Sequence, residues 1–214
     1  MSVRLVMLGA PGAGKGTQAE RFARERHIPR VSTGDVLRQA STGDAEVDRS
    51  AKALMDVGHL VDDDLVIGIV RERLARPDAA KGFVLDGFPR TLVQAEALDH
   101  LLDDRKPLVV IDIEVPEETL VKRLRSRLIC ARCSTPATTG AKVCAKCGGP
   151  LVNRPDDQFQ IVLERLKVYE RESQQIVEFY RRRPAFRSVD GDQAQDAVAA
   201  DVAAAVASVV GGQP

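Results

Sequence analysis

The sequence has no surplus of charge: 31 Lys and Arg stand against 31 Asp and Glu among 214 residues. Net charge therefore gives no case for nucleic acid or a membrane surface, and any anion site must be built locally. No apolar run approaches the roughly 20 residues that cross a bilayer. Only six apolar-leaning residues precede the first glycine-rich stretch, too few for a signal peptide, so a cytoplasmic location is expected. There is no internal repeat. Cysteine is missing everywhere except between Cys130 and Cys147, where all four fall. Scattered pairs would indicate a disulfide framework, and this cluster does not. His27, His59 and His100 lack partners at diagnostic spacing and read as structural.

What is present is 44% hydrophobic and 29% charged residues, interspersed throughout, enough for one sizeable core with small inserts. Short apolar or β-branched runs alternate with segments of helical period. VRLVML (3–8), GFVLD (82–86) and PLVVIDIEV (107–115) read as buried strands, continuous in hydrophobicity as parallel strands are. IPRVS (28–32) and FRSV (186–189) add shorter ones. Helical segments are expected after the glycine-rich stretch, with Ala19, Phe22 and Ala23 on one face, and over 35–56, interrupted by the polar 41–46. Others are expected over 115–127, 155–183 and 194–210. This alternation predicts an α/β fold, a parallel sheet covered on both faces. Residues 129–153, rich in Cys, Gly, Thr and Pro, break the rhythm and read as a small insert held by something other than an apolar core.

The stretch GAPGAGKGTQ (9–18) sits between a strand and a helix. Its Gly9, Gly14 and Lys15 fit a phosphate loop: backbone N–H groups converge, the helix N-terminus adds positive charge, and the lysine reaches the terminal phosphates. Gly16 stands where a Mg²⁺-binding hydroxyl is usual, and Thr17 comes one residue late. The metal then depends more on phosphate oxygens and water, which Mg²⁺ tolerates.

Phosphoryl transfer needs an acceptor and concentrated positive charge. LDGFPRTLVQA (85–95) follows a strand; Asp86 at its end is placed to hold Mg²⁺-bound water, and Gly87, Pro89 and Arg90 form a turn projecting a guanidinium. STGDVLR (32–38) places Thr33 in a loop and Arg38 in the first turns of a helix. Arg123 and Arg127, four apart, share a helix face. Arg154 and Arg165 lie before and within the next helix.

CARC (130–133) and CAKC (144–147) form C-x₂-C-x₁₀-C-x₂-C, two hooks able to place four thiolates tetrahedrally around Zn²⁺. Gly148 and Gly149 suit a knuckle whose N–H groups approach the sulfurs. Paired disulfides and a redox C-x-x-C are the alternatives, and another tetrahedral metal stays open. Four Cys leave no open position for water, so such a metal is structural.

GAPGAGKGTQ, STGDVLR, GFVLDGFPRT with Gln94, and the R-x-D-D run from Arg154 to Asp157 occur in the order found in adenylate kinases, within the nucleoside monophosphate kinase family. The chain resembles that family over essentially its whole length, and the late hydroxyl is the family's own form of the loop. The resemblance implies a P-loop fold with a five-stranded parallel sheet in one domain (1–214) and two mobile inserts. One, near 32–61, would bind AMP; the other, near 126–157, would be a zinc-braced lid over ATP. It implies a reversible Mg²⁺-dependent reaction, ATP and AMP giving two ADP, that balances adenine nucleotides, and a monomer without nucleic-acid or membrane partners.

By the same resemblance, Gly12, Ala13, Gly14, Lys15, Gly16 and Thr17 would hold the ATP phosphates, with Lys15 as chief cation. Thr33, Arg38, the His59, Leu60 and Val61 stretch, Gly87, Phe88, Pro89, Arg90 and Gln94 would surround AMP. Arg123 and Arg127 would clamp ATP phosphates, and Arg154 and Arg165 would complete the charge when the lid closes. Gln193 would meet the ATP adenine through its backbone. A Gln amide matches both donor and acceptor of an adenine edge. In the similar UMP/CMP kinases the Thr33 position tends to be Ala and the Gln94 position Asn, so this pair favours AMP. One departure stands out: STPATTGAKV (134–143) is shorter than the usual bacterial lid and lacks its Tyr-His and Asn-Pro-Pro stretches. Lid contacts from that segment do not carry over. The rivals are a sister kinase with another base or donor, and a binding module whose knuckle reads RNA. The second fits poorly, since no aromatic residue lies between the hooks to stack on a base.

Overall fold

The computed structural model describes residues 3–40, 50, 53–102, 107–133, 135–137 and 140–211. In chain order the strands and α-helices are β1 (Val3–Leu8), α1 (Lys15–Arg26), β2 (Arg30–Ser32), α2 (Thr33–Ala40), α3 (Asp63–Leu74), β3 (Gly82–Asp86), α4 (Leu92–Leu101), β4 (Leu108–Glu114), α5 (Glu117–Ser126), β5 (Leu128–Cys130), β6 (Leu151–Asn153), α6 (Phe159–Val168), α7 (Gln174–Arg181), β7 (Phe186–Asp190) and α8 (Gln195–Val210).

Five strands form one sheet in the order β2-β3-β1-β4-β7. Every pairing is parallel, as the unbroken apolar runs predict. Leu5, Val84, Val109 and Ile111 are fully buried, each contributing about 1.5–3 kcal/mol over an exposed side chain. One core, on α1 and α8, gathers Ala19, Phe22, Ala23, Val198, Val202 and Val206. The other, on α3, α4 and α7, gathers Val70, Phe88, Leu98, Ile176 and Tyr180. The spacing of Val198, Val202 and Val206 sets one stripe of α8 against the sheet. The register aligns Met7 with Asp86 and Leu8 with Asp112, so the carboxyl ends of β1, β3 and β4 meet where the glycine-rich loop leaves β1.

Several local expectations change. The second strand is shorter than 28–32, and Thr33 begins α2 rather than standing in a loop. Of the helix expected over 35–56, α2 ends at Ala40, residues 53–56 are helical, and 41–49 lie outside the described residues. Helices α3 and α4 are absent from the periodicity reading. Asp62 caps α3 by accepting from the Asp64 and Leu65 N–H groups, and Thr91 caps α4 by accepting from Gln94 N–H. The helix expected over 155–183 is broken into a 3₁₀ turn at Pro155–Asp157, α6, a π turn at Tyr169–Ser173, and α7. Within the aperiodic insert, β5 and β6 pair antiparallel; the first cysteine hook starts at the end of β5 and the second precedes β6.

Candidate active site

Gly14 caps α1, whose first turn holds no acidic residue. The Lys15, Gly16 and Thr17 N–H groups precede the first intrahelical bond, which Gln18 N–H makes to the Gly14 carbonyl. They form a positive helix end open to an anion. The half-buried Lys15 ammonium donates to the Gly9 and Ala10 carbonyls at 2.6 and 2.8 Å, curling over the loop. Burial lowers its pKa to about 8; Asp86 opposes the shift, while Arg90 and Arg165 add to it.

A Cβ at Gly16 would lie 3.2 Å from Asp86 Oδ2 and 3.3 Å from Arg30 Nη2. The missing side chain is what lets the end of β3 close on the loop. Thr17, one residue later, is exposed. Asp86 is not bare: Arg30 donates to its Oδ2 through Nη2 at 2.6 Å and Nε at 3.2 Å.

Beside the loop lies a cleft lined by Thr33, Leu37, Met55, His59, Leu60, Val61, Val66, Gly87, Arg90 and Gln94, among others. Thr33, His59, Leu60, Val61, Gly87, Arg90 and Gln94, which the resemblance assigns to AMP, thus line one cleft. Gly87, at φ 76°, lies so close to Arg90 that an added Cβ would be 2.8 Å from its Nη2. The Gly87 carbonyl accepts from Arg90 Nε and from the Thr33 hydroxyl, both at 2.8 Å. Phe88, fully buried, anchors this turn, and its peptide bond to Pro89 is cis. Arg38 belongs to α2, but its side chain lies outside the described residues. His59 Nε2 lies 3.7 Å from Glu164 Oε1, the partner that spacing did not reveal.

Three arginines converge on the Asp156–Asp157 turn. Arg127 donates to Asp157 through Nε at 2.7 Å and through Nη2. Arg154 grips both Asp156 oxygens at 3.1 Å. Arg165 donates to the Asp156 carbonyl and Asp157 Oδ1 at 3.0 Å. Burial pulls the Arg165 pKa below its usual value despite these carboxylates. Arg123 stands apart from the three: it donates to the Gly191 carbonyl at 2.9 Å and lies 3.7 Å from Asp192. Gln193 follows at once, its amide turned to Asp201 and to the Asp190 carbonyl.

The four cysteine Sγ atoms all lie within 4.8 Å of one another. Cys130 and Cys147 are 3.4 Å apart, Cys133 and Cys144 3.5 Å. These gaps exceed a disulfide bond of about 2.05 Å and approach the ~3.8 Å edge of a tetrahedron built on ~2.3 Å metal–sulfur bonds. The Arg132 and Lys146 N–H groups point at Cys130 and Cys144 Sγ, both at 3.4 Å, one in each hook. The Thr135 hydroxyl and N–H bring the Cys133 pKa down to about 6, while against the Gly149 N–H the Cys130 and Cys133 sulfurs push Cys147 up to about 12, as crowded thiols sharing protons do.

Three residues of the site escaped the sequence reading. Arg30 and Asp63 lie in runs with no motif of their own. Asp63 reads as one of three acids opening a helix, yet it accepts from Thr91 and Gln94. Asp112 is buried at the end of β4 and lines a cavity of about 250 Å³ with Ala10, Glu114, Leu166, Tyr169 and Glu170. The continuity of its apolar run marked the strand; the lone carboxylate within it was the unused signal.

A parallel sheet with a glycine-rich loop running into α1, and a cleft carrying Arg90 alongside, has the architecture of a P-loop protein. A family model for adenylate kinase matches residues 7–185. An adenylate kinase of Archaeoglobus fulgidus is 47% identical over 198 residues, covering 88% of this chain and 91% of its own. One from Rhizobium etli is 46% identical over 213 residues, covering 94% and 98%. Another, from Desulfitobacterium hafniense, is 45% identical over 200 residues, covering 89% and 92%. The chain belongs to the adenylate kinase family, whose members are nucleoside monophosphate kinases.

Proposed function

We propose that the chain catalyses reversible, Mg²⁺-dependent transfer of the ATP γ-phosphoryl group to AMP, giving two ADP, and so balances adenine nucleotides. The observation that carries this reading is the adjacency of the phosphate loop and the cleft: a Cβ on Gly16 of the loop would lie 3.2 Å from Asp86 Oδ2, and Gly87, next in the chain, holds Arg90 Nε at 2.8 Å in the cleft. Two polyphosphate-compatible places with shared cations suit transfer between two nucleotides.

An oxygen of the AMP phosphate attacks the γ-phosphorus. The bond from that phosphorus to the β,γ-bridging oxygen breaks, and the bridging oxygen leaves on ADP. No protein nucleophile is required. Gly12 to Thr17 hold the donor phosphates, Lys15 binds the β- and γ-oxygens, and Arg123 and Arg127 hold the triphosphate. Arg90, Arg154 and Arg165 neutralise charge on the transferring group. Mg²⁺ supplies further charge neutralisation when bound; the Asp86 carboxylate and Thr17 hydroxyl are hard oxygen donors that suit it, directly or through water. Zn²⁺ fits the four sulfurs as a brace, with no position left for chemistry.

We read 32–61 as the AMP-binding insert and 126–157 as the lid, within one domain, and the protein as a cytoplasmic monomer acting on small nucleotides. Among the described residues no helix is long and apolar enough to cross a membrane.

The test is an assay of purified, zinc-loaded protein with ATP·Mg²⁺ against AMP, CMP, UMP and GMP, comparing kcat/KM. Strong preference for AMP is expected. Preference for CMP or UMP would retain the transfer chemistry and overturn the base assignment. No transfer to any acceptor would leave a nucleotide-binding module.

A further inference from the structure

Gln94, 2% exposed in the first turn of α4, lines the cleft. Its amide is fixed from both ends. Oε1 accepts the Arg90 backbone N–H at 2.7 Å, and Nε2 donates to Asp63 Oδ1 at 2.7 Å. A backbone N–H only donates, and an ionised carboxylate only accepts. Turning the amide over would oppose donor to donor at Arg90 and acceptor to acceptor at Asp63. Asp63 is itself held, since the Thr91 hydroxyl contacts its two oxygens at 3.0 and 2.9 Å. That hydroxyl also accepts Gln94 N–H at 3.2 Å, so the cap of α4 and the carboxylate form one unit.

A primary amide has two N–H donors and two oxygen lone pairs. After these bonds, Gln94 retains one of each, in a fixed order. A base anchored through its ribose phosphate cannot turn over to suit that order. An amino base, with an exocyclic N–H donor beside a ring-nitrogen acceptor, matches it. A keto base, with an exocyclic oxygen beside a ring N–H, presents the reverse.

We propose that Asp63 is a specificity-positioning residue: by fixing the Gln94 amide in one orientation, it makes the acceptor site admit the amino purine and reject the keto purine. The proposal rests on the reading of this cleft as the AMP site. Asp63 touches no reacting atom, so its effect falls on base selection rather than on the transfer step. A site whose buried polar groups are left mispaired discriminates strongly.

AMP and IMP isolate this property, differing only in the exchange of amino for keto and the accompanying ring proton. The unaltered enzyme is expected to prefer AMP. In Asp63→Asn the partner can donate as well as accept, and in Asp63→Ala it is gone. In both, the AMP-to-IMP ratio of kcat/KM should fall about 10-fold or more. The fall should come from a raised KM for AMP and a lowered KM for IMP, with kcat for AMP within about 3-fold of the parent. Equilibrium titration of each variant with AMP and IMP, without ATP, checks the same ratio independently of turnover, and circular dichroism confirms folding. An unchanged ratio in folded variants overturns the role of Asp63 while leaving the AMP assignment intact. A parent enzyme that does not prefer AMP over IMP overturns both.

Discussion

Arg30 Nη2 lies 2.6 Å from Asp86 Oδ2, placing a guanidinium on the carboxylate proposed above to partner the nucleotide's metal. Arg30 also reaches Asp35 at 3.1 Å and Glu20 at 3.4 Å, so the end of β3 is tied to α1 and α2 through one side chain. The pair is mostly shielded, with side chains 23% and 10% exposed. On that proposal it adds a positive charge where the divalent cation approaches. Arg30→Gln should therefore lower the free Mg²⁺ needed for half-maximal rate. It should also cost about 1–2 kcal/mol of stability, since a partly buried carboxylate loses its counter-charge. Activity against Mg²⁺ concentration, with urea unfolding alongside, reads both. A higher Mg²⁺ requirement would mean that Arg30 assists metal binding instead.

Gly16 is the reason that pair fits. Replacing it by Ser would restore the generic phosphate-loop pattern and supply the missing hydroxyl. Yet its Cβ would arrive 3.2 Å from Asp86 Oδ2 and 3.3 Å from Arg30 Nη2, tighter than relaxed packing allows. Gly16→Ser is expected to lower kcat/KM for ATP by about 10-fold, against the motif's suggestion that activity should improve. The generic pattern is a poor guide here because the end of β3 and Arg30 fill the space that an added side chain would need.

Arg90 should be the most costly single loss. Its Nε is fixed on the Gly87 carbonyl, which leaves its place in the cleft defined by backbone. Arg90→Ala should cut kcat by about 10²-fold or more with a smaller change in KM, as expected for charge used mainly in the transition state. Arg90→Lys should recover only part, because an ammonium cannot supply the planar fork. Near-normal turnover in folded Arg90→Ala would remove the cleft from the reaction.

The sheet was legible because buried parallel strands must be apolar on both faces, as LVML (5–8) and GFVL (82–85) are. The phosphate loop and the cysteine hooks were legible because their chemistry fixes spacing within a few residues. Asp63 was not: its importance depends on Thr91 and Gln94, about thirty residues away, while its neighbour Asp62 is the one that caps the helix. Arg30 and Asp86 meet only through the β2–β3 register, which aligns Ser32 with Asp86. The break between α6 and α7 was hidden because the π turn is a single turn within a continuous helical run that has no glycine or proline to mark it.

Removing the metal should loosen the cysteine insert before the main sheet. β5 and β6 contribute only three residues each, and the insert's buried positions are largely the cysteines themselves. Chelation, or Cys130→Ser, should expose residues 128–153 to protease and reduce activity, while far-UV circular dichroism of the sheet and helices persists. Zinc added back should restore both. One cooperative transition losing insert and core together would show instead that the metal supports the whole fold.

Asp112 gives the pH dependence of stability a definite sign. It is 4% exposed, and its Oδ1 has no hydrogen-bond partner among the described residues. Burial, helped by the charge on Glu114, pushes its pKa from 3.8 to about 6; Lys15 and Arg181 oppose the shift. Between those values the folded chain holds a proton that the unfolded chain has released. Stability from this group is thus fully present below pH ~4 and is lost as pH rises through ~6. Asp112→Asn carries no charge to bury at any pH. Relative to the parent it should gain about 2 kcal/mol more at pH 7.5 than at pH 4.5, measured by urea unfolding at both. An equal effect at the two pH values would mean that Asp112 is ionised throughout, held by Lys15 across the mouth of the phosphate loop. In that case the variant should weaken ATP binding instead of stabilising the fold.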